Sequence, residues 1–225
     1  SSIISLIGNL GSFTNAGILN MNTLGANDLG SGLAAFNNSG TVNVNSGALR
    51  LTTGGSDTGL YAVDSGTTIE FANGARNLNA GSNVTGLGTL TVSGGSTVNV
   101  NNLLGIANTG AALNISGGTL TLGAGTASGT LAPLTINGGA LNLNTSNAIT
   151  LASPTLSSGG ILGGADAVTV TGAFNWSGGT ITGSGSFTTT GTSTLSGTGD
   201  KLLTNRAWNN QGTVDLTAGR LNLNG

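Results

Sequence analysis

The chain has no cysteine and no histidine, and these two absences exclude a great deal of chemistry. Thiol nucleophiles, histidine-based triads and zinc sites built from nitrogen and sulfur ligands cannot be assembled. Proline is confined to Pro133 and Pro154, and with no three-residue glycine period a collagen helix is excluded. Charge is scarce as well, at 5% of residues against roughly 25% in ordinary domains. Arg50, Arg76, Lys201, Arg206 and Arg220 are the only cationic side chains, and the net charge is -2. Phosphate neutralisation on a nucleic acid needs a cluster of such groups, so no nucleic-acid partner is expected. No apolar run approaches the ~20 residues that cross a bilayer, so no transmembrane segment is expected in these residues. The opening, SSIISLIGNLGSF, has neither a Met nor a basic n-region and does not read as an intact signal peptide. The chain is expected to be a segment of a longer, exported protein, and no cofactor or metal is expected.

What remains is glycine, asparagine and short apolar pairs. Gly occurs 42 times and Asn 28 times, yet 37% of residues are hydrophobic. Disordered chains are poor in Leu, Ile and Val and rich in charge, so this composition predicts a folded chain. The apolar residues alternate with period two: Val42 and Val44, Leu49 and Leu51, Leu90 and Val92, Leu141 and Leu143, Val168 and Val170. Such alternation marks strands with one buried face. Asn or Thr often stands between the two apolar residues, and Gly-rich steps separate the pairs as turn chemistry requires. No stretch carries a helical period.

A longer period organises these pairs. FTNAGILNMN begins at Phe13, FNNSGTVNVN at Phe36, 23 residues later, and WNNQGTVDLT at Trp208. Each reads aromatic, any residue, Asn, any residue, Gly, any residue, then two alternating apolar positions. The shared positions are Phe13, Asn15 and Gly17; Phe36, Asn38 and Gly40; and Trp208, Asn210 and Gly212. A period in the low twenties is the mark of a solenoid, in which each turn stacks on the last. The sequence therefore predicts one all-β domain over residues 1–225, a parallel β-solenoid or β-helix of about ten short-stranded turns. At the ~4.8 Å strand spacing this makes a rod roughly 45 to 50 Å long. An antiparallel sandwich, with turns every 8 to 12 residues, is the competing architecture. The Asn38 and Asn210 copies lie 172 residues apart, about eight turns, and the second is expected to repeat the geometry of the first.

The stretches NNSGTVNVNSGALRL, VSGGSTVNVNN, ISGGTLTLGAG, FNWSGGTITGSGSF and WNNQGTVDLTAGRLNLNG resemble repeats of filamentous-haemagglutinin-like adhesins and autotransporter passengers. The resemblance covers most of the chain and rests on repeat style. It implies a right-handed β-helix on an exported bacterial surface protein, and a location outside the cell or on its surface. The secretion domain and translocator barrel of such proteins are not visible in these 225 residues.

Several residues invite chemistry. Asp57, Asp64 and Glu70, followed by Arg76, form the densest acidic region, and a carboxylate pair at ~5 to 9 Å can hydrolyse glycosides. The plainer expectation is solvated corner residues. GGSDTG around Asp57 is similar to a calcium-binding turn but lacks the recurring nonapeptide. Asp28, Arg50 and Glu70 lie 22 and 20 residues apart, about one turn each, which predicts an acid–base–acid ladder on one outer face. Asn15, Asn38 and Asn210 are expected at turns, in the left-handed conformation or pairing amides up the stack. Phe13, Phe36 and Trp208 share one repeat position, which favours packing over sugar stacking, and Phe174 and Trp176 alternate and should point inward. Five Asn-x-Ser/Thr sites, Asn83 and Asn175 among them, are expected by chance in such a composition. Threonine runs such as SFTTTGTSTLSG raise ice binding, but Asn, Ser and Gly interrupt the register that a flat ice face needs.

The function expected is a non-enzymatic shaft or adhesin segment of a bacterial surface protein. Its partners would be further repeats or copies end to end, and host or matrix glycans. A self-assembling fibre subunit joined through open solenoid ends, and a polysaccharide-active β-helix enzyme, are the alternatives. The last repeat runs to the end of the sequence without a polar cap, which fits a segment that continues into another.

Overall fold

Three short strands make one turn, and the turns stack along a single axis. A computed structural model describes residues 10–101, 112–125, 130–131 and 133–224. Among them the strand pairings are parallel and no helix is present, which excludes the antiparallel sandwich. The solenoid has about nine turns and three sides. The first side holds Leu10–Asn15 and Leu33–Asn38, then a nine-stranded sheet from Gly55–Asp57 to Leu221–Asn224. The second holds a four-stranded sheet from Ile18–Met21 to Asn83–Gly86 and a five-stranded sheet from Thr130–Leu131 to Trp208–Asn210. The third is one unbroken sheet of ten strands, Ala26–Leu29 to Thr213–Leu216.

The two-residue alternation decides what faces the axis. In Thr89–Val92, Leu90 and Val92 are buried while Thr89 and Thr91 are partly exposed. Stacking in register then builds columns of like residues, so that Leu49, Ile69, Leu90, Leu113 and Leu134 lie one above another. All five are buried, and each contributes about 1.5–3 kcal/mol through removal from water. No turn encloses a core alone; its apolar residues are covered by the turns above and below.

The corners explain the glycines of the repeat. Thr41 N donates to Gly17 O and Leu60 N to Gly40 O, each at 2.8 Å, so successive corners hang from one another by their backbones. A Cβ on Gly40 would collide with the carbonyl of Gly17, and one on Gly212 with the carbonyl of Gly191. Glycine is needed here because two backbones approach closely.

The two copies of the repeat are not superimposed along the rod. After Asn38 the chain forms Thr41–Val44 on the second side, then Ala48–Leu51 on the third. After Asn210 it forms Thr213–Leu216 on the third side, then Leu221–Asn224 on the first. Thr213–Leu216 stands eight steps from Ala48–Leu51 in the ten-stranded sheet. The separation is therefore eight turns plus one side. The local geometry recurs because the motif specifies a strand, a corner and the next strand, whichever corner that is.

Phe13 and Phe36 pair in register with ring centroids 5.5 Å apart, and Phe36 is fully buried. Phe174 and Trp176 both point inward and stack at 5.8 Å. Trp208, half-buried, lies over Phe187 and donates from Nε1 to Thr189 Oγ1 at 2.9 Å. Ring burial of this kind favours packing over sugar stacking.

Candidate functional site

A column of polar side chains runs inside the first four turns, on the first side of the rod. Asn15 and Asn38 close their strands, are buried and point inward. Asn15 Nδ2 donates to Asn38 Oδ1 at 2.9 Å and to Thr41 O at 3.0 Å. Asn38 Nδ2 donates to Leu60 O at 3.1 Å, and Asn38 N donates to Asp57 Oδ1 at 2.8 Å. Arg76 Nη1 meets the other oxygen, Asp57 Oδ2, at 2.6 Å. Of the two arrangements expected for these asparagines, Asn15 and Asn38 adopt the paired amides, and they do so from strand ends and not from left-handed turn positions. Their side chains satisfy corner carbonyls that stacking buries. Asn210, at the surface, differs: its Oδ1 accepts from Thr189 Oγ1 of the turn before at 2.9 Å, but its Nδ2 donates within its own corner, to Gly212 O at 2.9 Å.

The acidic region is corrected more sharply. Asp64 is exposed, but Asp57 and Arg76 are 0% and 1% accessible and form an interior ion pair instead of solvated corners. Arg76 faces the axis because it shares the strand phase of the buried Leu78. Its guanidinium also donates to Phe36 O at 3.3 Å, Thr53 O at 3.0 Å and Tyr61 Oη at 3.4 Å. It lies over the rings of Phe36 and Phe71, at 5.7 and 5.3 Å from their centroids. Removing two charges from water costs several kcal/mol per ion, and hydrogen bonds from every side are what make such a pair tolerable. Burial pushes the Tyr61 hydroxyl well above the ordinary tyrosine range, an effect that the neighbouring Arg76 charge opposes. Asp57 is thus engaged by Arg76 and Asn38, which leaves GGSDTG no carboxylate for calcium. Among the described residues no three acidic side chains gather as metal ligands.

Two more cations are buried towards the other end. Lys201 is 0% exposed, and its Nζ donates to Gly197 O, Gly199 O and Ala218 O at 2.8, 3.0 and 2.9 Å. Arg206 donates to Thr182 O at 3.0 Å and to the carbonyls of Asp166 and Ser186. Its burial lowers its pKa from the usual arginine value, and Asp166 opposes that shift. The Asp166 carboxylate itself accepts from Thr145 N, Thr145 Oγ1 and Ser146 N at 2.7, 2.7 and 2.9 Å, and so shapes the corner one turn before it.

Outside, Asp28, Arg50 and Glu70 occupy one register on the third side. Arg50 Nη1 is 3.0 Å from Asp28 Oδ1, and Arg50 Nε is 3.0 Å from Glu70 Oε2. Ser93 Oγ continues the line to Glu70 Oε1 at 2.5 Å. Outward asparagines behave alike: Asn43 bonds Asn20 and Asn45 bonds Asn22, each at 2.7 Å, and Asn99 bonds Asn77 at 3.1 Å. A hollow of about 180 Å³ lies between Ile18–Met21 and Ala26–Leu29, walled by Leu19, Met21, Leu29 and Leu49 with Asn27 and Asp28 at its side.

The interior column was missed on the sequence, although its signal was there: Asp57 and Arg76 are 19 residues apart, one short turn, and Arg76 shares a phase with Leu78. Comparison with protein-family models, with curated proteins and with solved structures found no match, so the geometry described above carries the functional argument.

Proposed function

We propose that the chain is a non-enzymatic shaft or adhesin segment of an exported bacterial cell-surface protein. The observation that carries this reading is the direction in which outward polar groups bond. Asn20–Asn43, Asn22–Asn45, Asn77–Asn99 and Asp28–Arg50–Glu70 all join neighbouring turns along the axis. Such lengthwise bonding ties turn to turn and leaves a nearly neutral polar exterior. The resemblance of the repeats to filamentous-haemagglutinin-like and autotransporter passenger sequences supports export and the cell surface. With so little charge, contact with host or matrix glycans would rest on hydrogen bonds and on many weak sites acting together.

The alternative of a polysaccharide-active enzyme needs two free carboxylates in one groove. Asp28 and Glu70 share a face, but Arg50 stands between them and bonds both. Incubation with a panel of bacterial and matrix polysaccharides tests the reading, with no chain cleavage expected. Release of reducing ends or unsaturated products would overturn it.

A second reading is end-to-end assembly of copies of the chain, since an open strand edge pairs with any strand of matching pattern. Sedimentation velocity over a range of concentrations separates the two: rods that lengthen with concentration support assembly, and a constant monomer rejects it.

A further inference from the structure

We propose that Asn73–Gly74 is a self-modifying site, at which the Asn73 side chain is held against the Gly74 backbone nitrogen for intramolecular deamidation. The two residues form the exposed corner between Thr68–Phe71 and Ala75–Leu78. Gly74 N donates to Asn73 Oδ1 at 2.9 Å, which brings that nitrogen up to the side-chain carbonyl it would attack. Keeping the nitrogen beside the side-chain amide makes attack on its Cγ an intramolecular step, with the rate advantage that proximity brings. Gly74 has φ of 78°, and a Cβ there would collide with the backbone nitrogen of Gly54. The corner therefore requires glycine, and glycine leaves the nucleophile unshielded.

The reaction needs only water. A bond forms between Gly74 N and Asn73 Cγ, the Cγ–Nδ2 bond breaks, and the proton from Gly74 N leaves with ammonia. Water then opens the succinimide at either carbonyl, giving aspartate or isoaspartate. Isoaspartate adds one carbon to the main chain between residues 73 and 74. That corner has little slack: Gly74 is packed on Gly54, its carbonyl accepts Thr97 N at 3.0 Å, and Arg76 follows two residues on. Modification at this exposed corner would therefore loosen the strand that carries the interior ion pair. Asn137–Gly138, the other exposed Asn–Gly step among the described residues, lacks the side-chain contact and serves as an internal reference.

The intact chain is aged at mildly alkaline pH and physiological temperature, then peptide-mapped for conversion at both steps. A parallel sample is aged in denaturant. Asn73 is expected to convert several-fold faster than Asn137 in the folded chain, and this ratio should collapse in the unfolded one. Thermal midpoints should fall as the wild type ages but hold for Asn73→Gln. A ratio that is equal in folded and unfolded samples overturns the proposal, as does full conversion with no loss of midpoint.

Discussion

Arg76 fills the space above Gly55. The two are register partners on adjacent turns, and a Cβ on Gly55 would meet Arg76 Nη1 at 3.2 Å and collide with the carbonyl of Phe36. A missing side chain on one turn thus admits a charged one from the next, and Asp57 on the same short strand receives it.

Breaking this pair from one side should be costly. Arg76→Met leaves Asp57 buried without its counter-charge and is expected to lower stability by about 3–5 kcal/mol. Adding Asp57→Leu should restore much of the loss, short of the unpaired Asn38 N–H, worth about 1–3 kcal/mol. Denaturant midpoints of the parent, single and double variants measure this. A single variant as stable as the parent would refute the account.

Tyr61 is the chain's only tyrosine, so its ionisation is read without interference. Its folded pKa lies well above that of the unfolded chain. Folding therefore keeps the full contribution of the neutral phenol below pH ~10 and loses it as pH rises past that value, where only the unfolded state ionises. Phenolate absorbance should emerge together with the loss of β-sheet circular dichroism. A simple titration near pH ~10 with the fold intact would contradict the burial of this hydroxyl.

The outer ladder should matter much less. Arg50 and Asp28 are 37% and 38% exposed at their side chains. Arg50→Ala is expected to cost no more than about 1 kcal/mol, and less at high salt. Denaturant titrations at low and high ionic strength check both statements.

Two glycines at one motif position should respond differently. At Gly40 an added Cβ meets the Gly17 backbone, whereas at Gly17 it meets nothing within 4 Å. Gly40→Ala should therefore destabilise by about 1–3 kcal/mol or more through overpacking, and Gly17→Ala should stay near neutral. Equal melting temperatures for the two variants would count against close corner stacking.

These contrasts show which parts of the molecule the sequence discloses. Alternation in segments such as TLTV and ALNL is a direct image of a strand with one buried side, and the 23-residue spacing of Phe13 and Phe36 is a direct image of one turn. The Asp28–Arg50–Glu70 spacing places three charges in one register for the same reason. Direction is harder to read, because it depends on strand phase: Arg50 lies between Leu49 and Leu51 and faces out, whereas Arg76 shares the phase of Leu78 and faces in. Composition hides this, since an isolated arginine in a polar, glycine-rich stretch has the profile of a surface residue. The side to which a motif belongs is hidden too. Turn length varies along the rod, from the 23 residues between Asn15 and Asn38 to the 19 between Asn38 and Asp57, so sequence distance does not count corners.

The burial of Lys201 has a practical corollary. It is the only lysine in the chain, and its amine is enclosed by three carbonyls. Acylating dyes, aldehyde fixatives and lysine-directed conjugating enzymes all begin at an accessible primary amine. Along its sides the folded rod offers them none, so labelling at Lys201 would report that the last turns have opened.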